Sequence, residues 1–151
     1  MNSNASRNKA NRMMLLEKMN SLEAANLDKQ IIKLNTHMRS ISKSIEESKR
    51  VASNLLQSAT TKLSDLTSSA NAAYVFQNMS YALTKAESME LGVKADEQEK
   101  QLANLRIKTL LQQKCRTQSR GQVITQLIRD IRVYNRLATD TLSQSEIEEV
   151  R

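Results

Sequence analysis

The sequence contains no proline and only two glycines in 151 residues. Tight turns draw on Gly, Pro, Asn and Asp, so a turn-rich β-sandwich or barrel is excluded, and a globular α/β domain of this length carries several times as many glycines. What remains is helix. Aromatic residues make up 3% of the chain (Tyr74, Phe76, Tyr81 and Tyr134, with no Trp). The core must therefore come from Leu, Ile, Met, Val and Ala, which suits long helices packed along a seam.

The clearest periodicity lies in the first half, where Ile31, Leu34, Met38, Ile41 and Ile45 alternate steps of three and four and continue through Ser48 and Ala52 to Leu55. This is a heptad seam with Ile31, Met38, Ile45 and Ala52 at position a and Leu34, Ile41, Ser48 and Leu55 at d. Beyond it the apolar residues predict a slip of phase by one residue, with Ala52, Leu56, Ala59, Leu63, Leu66, Ala70 and Ala73 as a second series. Upstream, Leu15, Met19 and Leu22 form a short stripe out of phase with the main seam. Residues 1–12, rich in Asn and Ser with three cations, carry too little apolar surface to order alone and read as a flexible basic N-terminus.

The Ser- and Thr-rich stretch from Ser58 to Asn71 predicts a bend near 64–72, because hydroxyl side chains compete for backbone hydrogen bonds. A further helix follows with Val75, Met79, Ala82, Ala86, Met89 and Val93 in alternating steps, widened by Phe76 and Leu83. Leu102, Leu105, Ile107, Leu110 and Leu111 resume an apolar face after the polar Asp96–Gln101. Gly121, after Arg116 and Arg120, matches the preference for cations in a last helical turn and glycine just beyond, which predicts a second bend near 117–122. The final helix then carries Ile124, Leu127, Ile131, Tyr134 and Ala138, with Ile128 and Leu137 beside them, before an acidic tail at 143–151.

The expected fold is all-α, an elongated antiparallel helical hairpin or coiled-coil bundle over residues 13–142. A helix over 28–63 extends roughly 50 Å and cannot be buried in a globule of this size; it must be paired lengthwise. Pairing within one chain and pairing between chains fit the narrow stripes equally well. The expected partner-binding seam is Ile31, Leu34, Met38, Ile41, Ile45, Leu55, Leu56, Leu63, Leu66, Val75, Met79, Leu83 and Met89.

Catalysis, metal binding and small-molecule cofactors find no motif. His37 is the only histidine and reads as an exposed helix residue. Cys115 stands alone, so neither a disulfide nor a cysteine metal pair is available, and its neighbours Lys114 and Arg116 point to other parts of the helix surface. Gly92 and Gly121 are too isolated to form a phosphate loop. No apolar run is long enough to cross a bilayer, and the cations near the N-terminus are followed by too short an apolar run for a secretory signal. These features predict a soluble cytoplasmic protein that can also sit peripherally at a membrane.

The net charge of +7 is uneven. Lys100, Arg106, Lys108, Lys114, Arg116, Arg120 and Arg129 follow one another with no acid between Lys100 and Arg129. Three readings rank in this order: a solvated helix face matched to acids of this or another copy, a patch that docks on anionic lipid, and a nonspecific nucleic-acid contact. The lack of aromatic residues in the run weighs against both lipid insertion and a single-strand stacking platform. The methionines on the stripes suit gap filling or acceptance of another protein's helix. The expected function is a non-enzymatic assembly subunit, adaptor or helical chaperone acting through coiled-coil pairing with itself or another protein. The alternative is a membrane-surface protein whose segment 100–129 docks on lipid and polymerises.

Overall fold

The structure, a computed structural model, describes residues 2–64 and 72–149. Two helices account for all of them: α1, Asn2–Ser64, and α2, Ala72–Glu149, packed against each other as an antiparallel hairpin, with no strand among the described residues. Interhelical contacts fall into two compact units, Met1–Ile31 with Thr109–Arg151, and Ile32–Lys108.

In the Ile32–Lys108 unit, Leu34, Met38, Ile41, Ile45, Ser48, Ala52, Leu55 and Ala59 of α1 are buried or half-buried. Facing them, Ala72, Val75, Met79, Ala82, Ala86, Met89, Val93, Asp96, Lys100, Ala103 and Ile107 of α2 do the same. Ile41, Ile45 and Val93 form its apolar centre. Both series step strictly by three and four, the spacing that keeps one helix face turned to a partner helix. His37 Nε2 meets Glu99 Oε1 at 2.8 Å and Lys49 Nζ meets Glu97 Oε1 at 3.0 Å across the hairpin.

The other unit has a more polar seam. Ala10, Met13, Asn20, Ala24, Leu27 and Ile31 of α1 face Leu110, Lys114, Thr117, Gly121, Ile124, Ile128, Ile131 and Asn135 of α2. Thr117, 2% exposed, is its most buried side chain. Asn20 Nδ2 donates to the Thr117 backbone oxygen at 3.0 Å, and Thr117 Oγ1 donates to Glu23 Oε1 at 3.4 Å. Lys114 Nζ lies 2.6 Å from Asp28 Oδ1, Arg120 Nη1 donates to Glu23 Oε2 at 3.4 Å, and Thr125 Oγ1 donates to Glu17 Oε1 at 3.3 Å. Partners climbing α1 descend α2, as antiparallel pairing requires.

Several expectations are corrected. The phase slip does not occur: Leu55 and Ala59 hold the seam, whereas Leu56 and Leu63 lie exposed on its flank, one residue past d. Small and polar residues keep the original frame, which an apolar-only count abandons. α2 runs without a break through 117–122. Gly121 sits inside α2 without a positive φ, and its place on the seam has a steric cause, since a Cβ there would stand 2.7 Å from Asn20 Nδ2. Of the residues expected on the later apolar faces, Leu102, Leu105, Leu111, Leu127, Tyr134, Leu137 and Ala138 are exposed, whereas Ile107, Leu110, Ile124, Ile128 and Ile131 do turn inward, joined by Ala103. Leu15, Met19 and Leu22 are exposed as well. The bend placed near 64–72 and the seam residue Leu66 fall on 65–71, outside the described residues. Residues 2–12 and 143–149 are helical, where a flexible N-terminus and a separate tail were expected.

At the hydroxyl-rich end of α1 the side chains bond back to the helix: Thr60 and Thr61 Oγ1 each donate to the Gln57 backbone oxygen at 2.8 Å. Thr36 and Thr84 bond back four residues in the same way. Such back-bonds share a carbonyl with the helical ladder and are tolerated within a helix at a small cost.

Candidate protein-interaction surface

Of the seam residues expected to bind a partner, Ile31, Leu34, Met38, Ile41, Ile45, Leu55, Val75, Met79 and Met89 lie on the inner faces of the hairpin, covered by the other helix. Leu56, Leu63 and Leu83 lie exposed on its flanks. In the Ile32–Lys108 unit, Leu56 and Leu83 border a cleft of about 410 Å³ floored by Ser48, Ala52, Ala86 and Val93. It exists because alanine and serine on the seam leave space that larger side chains would fill.

The basic residues do not gather on one face of α2. Counting Ile107 as position a, Lys100 and Lys114 are a, Arg106 and Arg120 are g, Lys108 and Arg129 are b, and Arg116 is c, so they wind round the whole helix. Lys114 and Arg120 are held by Asp28 and Glu23 of α1. Lys100 is half-buried. The acidic stretch of α2 pairs likewise with α1, through His37–Glu99 and Lys49–Glu97. Among the described residues no group of three His, Cys, Asp or Glu side chains could hold a metal ion, and no helix is long and apolar enough to cross a membrane. Cys115 is exposed on α2.

The surface with the most distinctive chemistry lies on the outer side of α2 in the Ile32–Lys108 unit. Tyr74, Gln77, Tyr81, Thr84, Ser88, Leu91, Ala95, Gln98, Leu102 and Leu105 follow one another in steps of three and four, all are exposed, and none is charged. Leu91 and Leu102 are each 67% exposed. These are positions c and f, opposite the seam, where a helix facing only water carries its charges. The outer positions of α1 in the same unit follow that rule with Lys33, Lys43, Glu47 and Arg50. Lys85 Nζ sits 5.7 Å from the centroid of the Tyr81 ring, a cation–π contact at the edge of the stripe. Sequence reasoning placed Leu102 and Leu105 on an inner face; the signal it passed over was the absence of any charge at c and f across more than four heptads. Comparison with protein families, with characterised proteins and with solved structures finds no match to this chain.

Proposed function

We propose that this protein is a non-enzymatic assembly subunit, adaptor or helical chaperone that pairs with another protein chain through the outer face of α2. The uncharged stripe from Tyr74 to Leu105 carries this reading. The inner seam is taken up by the hairpin itself, so coiled-coil pairing with a second protein falls to a face that is both uncharged and periodic. Isolated surface leucines are ordinary, but a stripe at constant helical stride is the pattern that a facing helix reads.

Lipid docking through segment 100–129 has less support, because its cations wind round α2 and two of them are matched by acids of α1. Cross-linking mass spectrometry on the protein purified from its source tests the proposal. Lys85 and Lys94, which border the stripe, should cross-link to another chain, and Leu91→Glu with Leu102→Glu should abolish those cross-links while helicity is kept. Cross-links unchanged by the double substitution, or none leaving the chain, would contradict it.

A further inference from the structure

The two glycines of the chain differ in what surrounds them. At Gly121 a Cβ would stand 2.7 Å from the Asn20 amide nitrogen of the partner helix, which would have to move aside. At Gly92 a Cβ would meet nothing within 4 Å. Glycine inside a helix is disfavoured relative to alanine, and the packing of the hairpin gives Gly92 no reason to be there. It borders the outer stripe, one residue past Leu91, where a missing side chain admits the close approach of another backbone.

We infer that the occupant of the outer stripe is a second copy of this chain, its α2 lying parallel and in register with the first. This rests on the proposed pairing function and names its partner. Register follows from the residues along the stripe. Parallel alignment sets Leu91, Ala95 and Leu102 each against its own counterpart, so no apolar layer meets a polar one, and Gln98 meets Gln98, whose amides can both donate and accept across a two-fold axis.

The flanking charges agree. In a parallel pair each b residue meets the g residue five further on in the other copy. Lys94, 3.5 Å from Glu90 of its own helix, then also faces Glu99, the partner of His37, once on each side of the axis, and the other flanking pairs, Ser80 with Lys85, Glu87 with Gly92 and Gln101 with Arg106, bring no like charges together. The antiparallel alternatives each add a repulsion that the parallel pair lacks: matching Leu91 to Leu102 sets Lys85 against Arg106 beside a favourable Glu87 with Lys108, and matching Leu91 to Ala95 sets Lys94 against Lys94 beside a favourable Lys85 with Glu99. Exposed ion pairs add little affinity, so these charges choose orientation while the leucines hold the dimer.

The full chain carrying Cys115→Ser and Ala95→Cys tests orientation directly. A cysteine at 95 faces its own counterpart only in the parallel, in-register pair, so mild oxidation should convert the protein to a disulfide-linked dimer. Light scattering on the unmodified chain should give twice 17.1 kDa, falling two-fold to the monomer mass in Leu91→Glu/Leu102→Glu with helical circular dichroism unchanged. A Gln98→Cys variant in the same background supplies a second cross-linking site. A monomeric native chain overturns the inference. So does a dimer that neither cysteine cross-links, a dimer indifferent to the double substitution, or a monomer that uses the stripe to sediment with anionic vesicles. A monomer whose Lys85 and Lys94 still cross-link to a different protein, in a manner lost with Leu91→Glu/Leu102→Glu, rejects the second copy yet leaves the pairing function standing.

Discussion

Asn20 occupies the space that a side chain at residue 121 would need: its Nδ2 lies 2.7 Å from where a Cβ on Gly121 would stand, held there by a 3.0 Å hydrogen bond to the Thr117 backbone oxygen. Two effects of Gly121→Ala oppose each other. Alanine favours the helix by up to about 1 kcal/mol, but its Cβ displaces the half-buried Asn20 amide, and a polar group left unsatisfied costs about 1–3 kcal/mol. The substitution should lower stability by about 1 kcal/mol in chemical denaturation. In an Asn20→Ala background the conflict is gone, so the same substitution should raise stability. A stabilising Gly121→Ala in the native background would contradict the packing.

The unbroken register of α1 separates Ile45 from Leu56. Ile45→Ala removes a buried side chain beside Ile41 and Val93 and should cost about 2–4 kcal/mol. Leu56→Ala and Leu63→Ala, exposed on the flank, should each cost less than about 1 kcal/mol. Had the seam slipped to the Leu56 series, the order of these midpoints would be reversed.

Lys114 and Asp28 meet at 2.6 Å, with the lysine the more covered of the two. Asp28→Asn should destabilise by about 1 kcal/mol, since a half-buried ammonium loses its counter-charge. Swapping the pair, Asp28→Lys with Lys114→Asp, should recover part of that loss. A double-mutant cycle with no coupling would show that the contact contributes nothing.

The winding of Lys100, Arg106, Lys108, Lys114, Arg116, Arg120 and Arg129 round α2 predicts weak attraction to flat anionic surfaces. Sedimentation with acidic vesicles at physiological salt should be close to that with neutral ones, and reversing Arg106, Lys108 and Arg116 should change it little. Strong retention lost on that reversal would favour the lipid reading.

The helical class and antiparallel pairing were legible from the missing prolines, the two glycines and the seam from Ile31 to Leu55. Where the reading failed, one cause recurs. Asn20, Asp96, Lys100, Lys114, Thr117 and Gly121 occupy seam positions with polar or small side chains, so a count of apolar residues lost the frame there and followed Leu102, Leu127 and Tyr134 onto other faces. Whether a polar residue can sit on a seam depends on the atom opposite it, as Thr117 depends on Asn20 and Glu23, and that atom is about a hundred residues away in sequence. The outer stripe was hidden for the converse reason: its leucines were counted toward a core that already had occupants.

Whether α1 pairs with the α2 of its own chain is decided by electron–electron distance measurement on spin labels placed at residues 49 and 97 of the Cys115→Ser protein, where the native side chains meet at 3.0 Å. A hairpin closed within the chain predicts a short distance that keeps its full modulation depth when the labelled protein is diluted and refolded with excess unlabelled chain. Disappearance of that distance on dilution would contradict the account, because the seam would then join separate molecules.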